Sequence, residues 1–203
     1  LQRVETSDPS LTKLEVREKR YLKEAGCRVL ARSLSLNTSI TSLNLEGTNV
    51  GAAGACLLFP ALTHLTAMTC LDLRGTHLES SGVSHLCSAL EHLTSLNCLE
   101  LHEIGLFSSS VYHICSTFNH LTSLTNFIFS DSSLTVNDVA HICWAAAASG
   151  MPRLKTLHLA KSCLNKDILS VFDVFGSRAW MLLNLSHPPL QIGRQMEPRW
   201  QTT

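Results

Sequence analysis

Pairs of large apolar residues, one position apart, recur down the chain at a nearly constant spacing. Leu14/Val16 comes first, followed by Leu43/Leu45, Leu71/Leu73, Leu99/Leu101, Phe127/Phe129, Leu157/Leu159 and Leu183/Leu185. Three successive spacings are 28 residues, with 29, 30 and 26 toward the ends. Side chains alternate across a strand, so both members of a pair face one side and the residue between them faces the other. Each pair therefore predicts a short strand with one buried face. In the unit that starts at Met68, Gly75-Thr76 then turns the chain and Leu78 tucks back beneath it. Ser80 and Ser81 are N-cap candidates for a helix. Val83, Leu86, Cys87 and Leu90 follow at helical spacing and share one face. Leu93 closes the unit, Leu96 opens the next, and the same slots are refilled by Val111, Ile114, Cys115, Phe118, Leu121 and Leu124.

One such unit cannot bury its one-sided apolar set, but stacked units can, each covering its neighbour. About seven units account for most of the 203 residues. The expected architecture is α/β, with parallel strands on one side and helices on the other. Residues 1–10 are polar and are expected to form a loose lead, 11–190 the repeat domain and 191–203 an irregular tail. A helix is expected over 17–36, with Leu22, Cys27, Val29 and Leu30 packing inward. Pro188-Pro189 break the last unit and leave Trp200 isolated. A last unit without a polar cap exposes core, so the tail or a neighbouring protein is expected to cover it.

The strand pattern LxxLxL, a further apolar residue five positions on and a helix in each 28-residue unit resemble the ribonuclease-inhibitor-like class of leucine-rich repeats. That class includes receptor domains of NOD-like immune proteins and the Ran GTPase-activating protein. The resemblance covers about residues 11–190. It implies a leucine-rich-repeat solenoid curved as a horseshoe, with the parallel sheet on the concave side and the helices on the convex side. The slot that commonly holds Asn or Cys in this class holds Thr48, Thr76, Ile104, Ser132 and Ser162 here. The hydroxyls can still bond the turn backbone, whereas Ile104 cannot.

Sixteen basic and sixteen acidic residues give zero formal net charge. No basic block offers a surface for nucleic acid or anionic membrane, and no apolar run reaches the roughly 20 residues of a membrane span. The chain starts at Leu1, as a processed product or a piece of a longer protein would. Three of its eight cysteines, Cys87, Cys115 and Cys143, repeat every 28 residues as small buried hydrophobes. Neighbouring helices lie about 8–10 Å apart, too far for disulfides between them, so reduced thiols and a cytoplasmic setting are expected. The triplets Asn37-Thr38-Ser39 and Asn184-Leu185-Ser186 point the other way, as glycosylation acceptors.

Alternation places Asn44, Asp72, Glu100, Ile128 and His158 in a central column on the concave face. Glu46, Arg74 and His102 lie beside it, with Ser42, Cys70, Cys98, Asn126, Ser130, Thr156 and Ala160 completing the rows. Asn44, Glu46, Asp72, Arg74, Glu100, His102, Ile128 and His158 are the candidate partner-binding residues. Cys70 and Cys98 should be exposed on adjacent strands. A metal site or a redox pair can be imagined there, but isolated thiols are the expectation. His85, His113 and His141 should point to the convex solvent side, and His64, His92 and His120 should close helix ends. No phosphate loop, HExxH, GxSxG or paired CxxC occurs, so neither catalysis nor a cofactor is expected. The chain reads as a protein-binding scaffold or structural subunit, of the kind a large assembly would use. The alternatives are a recognition domain of an immune sensor or ubiquitin-ligase adaptor, and a Ran-type GTPase-activating protein using Arg74.

Overall fold

A computed structural model describes residues 8–16, 22–106, 108–130, 134–149 and 151–159. The expectations for Ser132, Ala160, Ser162, Leu183/Leu185, Pro188-Pro189, Trp200 and the tail lie outside these residues. Each described apolar pair forms or flanks a short strand: β1 (Lys13–Glu15), β2 (Ser42–Asn44), β3 (Cys70–Asp72), β4 (Cys98–His102), β5 (Asn126–Ser130) and β6 (Thr156–Leu159). A helix follows each of the first five: α1 (Glu24–Ser35), α2 (Gly51–Leu62), α3 (Glu79–Leu90), α4 (Ser108–Ser116), continued by a 3₁₀ turn over Thr117–Asn119, and α5 (Val136–Ala148).

The six strands form one parallel sheet in chain order. Crossovers that all step in the same direction across the sheet put the described helices on one face. The other face carries no helix among the described elements. From Leu43/Leu45 to Leu157/Leu159, every inward pair is at most 1 % exposed. Leu14 and Val16 are partly buried against this core. Phe127 meets Phe118 edge-on at 5.5 Å and Phe129 at 5.4 Å, so aromatic rings fill the slots of smaller leucines at this end of the sheet. Helix-face residues Val83, Leu86, Cys87, Leu90, Val111, Ile114, Cys115 and Phe118 are all buried.

Backbone bonds run past the strands at both ends. The N–H groups of Thr69, Asn97, Thr125 and Lys155 donate to the carbonyls of Thr41, Thr69, Asn97 and Thr125, all at 2.7–2.9 Å. The Thr69 and Thr125 hydroxyls donate to those same carbonyls of Thr41 and Asn97. Beyond the strands, Gly47 N–H donates to Arg74 O and Gly75 N–H to His102 O, both at 2.7 Å. The Thr48 and Thr76 hydroxyls are fully buried and bond the carbonyls of Leu45 and Leu73 at 2.7 and 2.6 Å. Ile104 fills the third such slot as a buried apolar plug. Gly47, Gly75 and Glu103 share one turn slot, with φ of 68°, 65° and 52°. A side chain in this left-handed region crowds the backbone, so Glu103 is strained where its two counterparts are not.

Three local expectations are corrected. Helix α1 begins at Glu24, because Leu22 N–H is held by Thr48 O at 2.7 Å and Lys23 is extended. Val29 is 47 % exposed, since it lies two residues, and so more than half a turn, from Cys27. Ser80 and Ser81 do not cap α3. That helix starts a residue earlier, and the N–H groups of Leu78 and Glu79 dock on Ile104 O of the next unit instead. Only α5, among helices α1, α2, α3 and α5, has a side-chain cap. There Thr135 and Asp138 cap each other's backbone N–H groups.

Gly54 packs helix α2 tightly against Cys27 of α1. A Cβ on Gly54 would stand 2.6 Å from Cys27 Sγ and 2.9 Å from Val50 Cγ1. Gly54→Ala should lower stability in urea denaturation by about 1–3 kcal/mol through overpacking. Glu103→Gly should leave stability unchanged or raise it by up to about 1 kcal/mol, as relief of strain competes with added chain entropy.

Candidate functional site

Strand register assembles the central column of the helix-free face. Glu15 pairs with Asn44, Asn44 with Asp72, Asp72 with Glu100, Glu100 with Ile128 and Ile128 with His158. Glu15 extends the column by one strand. Its position between Leu14 and Val16 was the sequence signal for it. Asn44, Glu100, His102, Ile128 and His158 are half-buried and Glu46 is exposed. Asn44 Oδ1 accepts the Glu46 N–H at 2.8 Å, which shapes the strand exit.

Arg74 organises the middle of this face. Its Nε lies 3.0 and 3.1 Å from the Asp72 carboxylate oxygens, and its Nη2 lies 2.6 Å from Asp72 Oδ2. The Arg74 backbone N–H also donates to Asp72 Oδ1 at 3.1 Å. The guanidinium reaches Glu46 of β2's exit at 3.1 Å and Glu100 of β4 at 3.0 Å. Three strand segments are thus clamped by one planar, multiply donating group, a geometry that a lysine would not reproduce. The hydrogen bond to Asp72 is the main cause that raises the Arg74 pKa further, so the cation persists at every accessible pH. Three carboxylates surround this one cation, which leaves the cluster acidic. His102 Nε2 lies 3.5 Å from Glu103 Oε1 at its border.

Asp72 departs from the expected solvated column: its side chain is only 7 % exposed. It is the covered counter-ion of Arg74, while Glu46 and Glu100 are the arms that reach solvent. Nothing in strand alternation distinguishes these roles, because they are set by the rotamer of Arg74. The two thiols expected to be exposed and isolated are half-buried register partners, Cys70 on β3 and Cys98 on β4.

The opposite face carries features that sequence reading placed only in part. His113 is exposed, but His85 and His141 are half-buried. His141 meets the ring of Tyr112 on the preceding helix at 4.2 Å, tilted by 48°, and stacks on Trp144, one turn along its own helix, at 6.1 Å. Tyr112 and Trp144 are 53 % and 57 % exposed. His64, His92 and His120 are exposed at the helix ends, where the backbone N–H groups of His92 and His120 close the last turns. Asn37 is fully buried, and its Oδ1 accepts the N–H groups of Ser39 and Ile40, so it cannot carry a glycan. Asn184 lies outside the described residues. Among the described residues no group of His, Cys, Asp and Glu is arranged to hold a metal, and no helix is long and apolar enough to cross a membrane.

No protein-family model matches the chain, and no curated protein matches it in sequence. Solved structures do match its fold. The actin-binding site 2 domain of leiomodin-1 superposes with a TM-score of 0.62 at 18 % identity, covering 73 % of this chain and 86 % of that one. The tropomodulin C-terminal domain of Caenorhabditis elegans superposes with a TM-score of 0.58 at 13 % identity, covering 73 % and 89 %. The chain is therefore an α/β protein with a parallel sheet backed by helices, in the manner of these two domains.

Removing Arg74 leaves the covered Asp72 carboxylate without its cation. Arg74→Ala should destabilise the fold by about 2 kcal/mol, below the usual range for a buried pair because Arg74 itself is partly solvated. Adding Asp72→Asn to that variant should restore most of the loss, as read by urea denaturation of both.

Proposed function

We propose that this chain is a leucine-rich-repeat solenoid of the ribonuclease-inhibitor-like class and that it binds another protein without catalysing a reaction. Its partner docks on the concave, helix-free face, at the surface formed by Asn44, Glu46, Arg74, Glu100, His102, Ile128 and His158, with Asp72 holding that surface from beneath. The observation that carries this reading is the clamp of Arg74 on Glu46, Asp72 and Glu100 across three consecutive units. A charged surface held rigid before encounter loses little entropy on binding, and its polarity selects the partner. Its excess of carboxylates favours a partner surface rich in Lys or Arg.

The likeness to the actin-binding site 2 domain of leiomodin-1 makes monomeric actin the first partner to test. A cytoplasmic setting accords with that choice, with the free thiols of the seven described cysteines and with the enclosed Asn37. A GTPase-activating role is disfavoured by the position of Arg74, because an arginine engaged by three carboxylates is not poised to reach a phosphate.

Glu46→Lys combined with Ile128→Asp changes the open face without touching the core. This double variant should weaken capture of monomeric actin at least tenfold, about 1.4 kcal/mol, with an unchanged thermal melt. Trp144→Ser on the helix side should bind as the parent does. The reverse pattern would move the site to the helices. A parent chain that leaves actin unbound at micromolar concentration would remove actin as the partner, and the same variants would then be read on partners crosslinked in lysate.

A further inference from the structure

One row of the helix-free face reads Ser42, Cys70, Cys98 and Asn126 across β2 to β5, each residue the register partner of the next. Register partners on neighbouring strands have Cα atoms about 4.8 Å apart, within the roughly 4.4–6.8 Å that a disulfide spans. Both cysteines are free and half-buried, and they face each other as register partners on one side of the sheet. Cys98 Sγ also lies 3.7 Å from Glu100 Oε1, and Glu100 in turn contacts Arg74.

The pair is chemically unequal. The hydrogen bond from Cys98, helped by one from Ser42, pulls the Cys70 thiol down to about 7, against burial and the charges of Glu100 and Asp72. Cys98 is pushed up, first by its bond to Cys70 and then by burial. Among the helix cysteines, burial is the main cause that raises Cys87 and Cys115 to about 12 and Cys143 to about 11. A thiolate and a protonated thiol side by side are the attacking and resolving partners that disulfide chemistry requires.

We propose that Cys70 and Cys98 form a reversible redox site, in which a small oxidant of the peroxide class joins them across β3 and β4. The Cys70 thiolate attacks one peroxide oxygen and the O–O bond breaks, giving a Cys70 sulfenic acid and hydroxide. The Cys98 sulfur then attacks the Cys70 sulfur. The S–S bond forms as the S–O bond breaks, and the departing hydroxide leaves as water with the Cys98 proton. Two thiols lose two electrons in all, and one peroxide becomes two waters. A thiol such as glutathione reopens the bond by thiol–disulfide exchange. Closure consumes the Cys98 thiol that lies 3.7 Å from Glu100, a residue that also pairs with Arg74.

The test uses the full chain with the exposed Cys56 and also Cys163 replaced, Cys56→Ser and Cys163→Ser, to prevent links between molecules. It is treated with equimolar hydrogen peroxide, unfolded, alkylated and mapped by peptide mass. The expected product is a Cys70–Cys98 link with the loss of two hydrogens, with Cys27, Cys87, Cys115 and Cys143 still alkylated, and glutathione should reverse it. With Cys98→Ser added, Cys70 should stop at the sulfenic acid, which dimedone traps, and the pH midpoint of its alkylation should rise from about 7. A thermal melt matching the parent's confirms that this variant is folded. Both thiols unlinked after oxidation would overturn the proposal. So would a Cys98→Ser variant whose Cys70 products and alkylation midpoint match the parent's.

Discussion

Each strand of this sheet satisfies its backbone by lying in register with the strands beside it, and that register fixes the position of every other group. The side-chain period of a strand is two, so a slip of one residue would carry a whole Leu pair into water and bring its polar neighbours into the core. Each buried leucine contributes about 1.5–3 kcal/mol, so such a slip is strongly disfavoured at every unit. The continuation of the ladder through the threonines before the strands and the glycines after them locks the register at both ends. Units therefore stack at nearly constant spacing, and residues 28 positions apart become lateral neighbours.

That stacking turns sequence period into chemistry. Glu46 and Arg74 are 28 residues apart and form an ion pair. Cys70 and Cys98 are 28 apart and are register partners on adjacent strands. Asp72 and Glu100 are likewise register partners, and two carboxylates so placed would repel without the Arg74 guanidinium between them. The clamp thus resolves a conflict that the repeat itself creates. It also leaves a rigid surface whose solvent-facing arms, Glu46 and Glu100, come from different units.

The order of strands, the inward Leu and Phe pairs and the column Asn44–Asp72–Glu100–Ile128–His158 were legible in the sequence, because all follow from two periods, two residues and 28. What was not legible depends on contacts between units. The start of α3 is set by Ile104 O of the next unit rather than by Ser80 or Ser81. The burial of Asp72 comes from the folded-over Arg74 side chain, and no spacing rule encodes a rotamer. The enclosure of Asn37 by the backbone of Ser39 and Ile40 likewise separates a structural turn from a glycosylation triplet, although both read alike in the chain.

The central claim is that the clamped, helix-free face is the docking surface. The most direct measurement is amide hydrogen exchange of the chain with and without its bound protein partner. The account predicts slowed exchange in peptides covering 42–46, 70–74 and 98–103, with the helices 79–90 and 108–116 unchanged. Slowed exchange confined to the helices, with the strand segments as in the free chain, would contradict it.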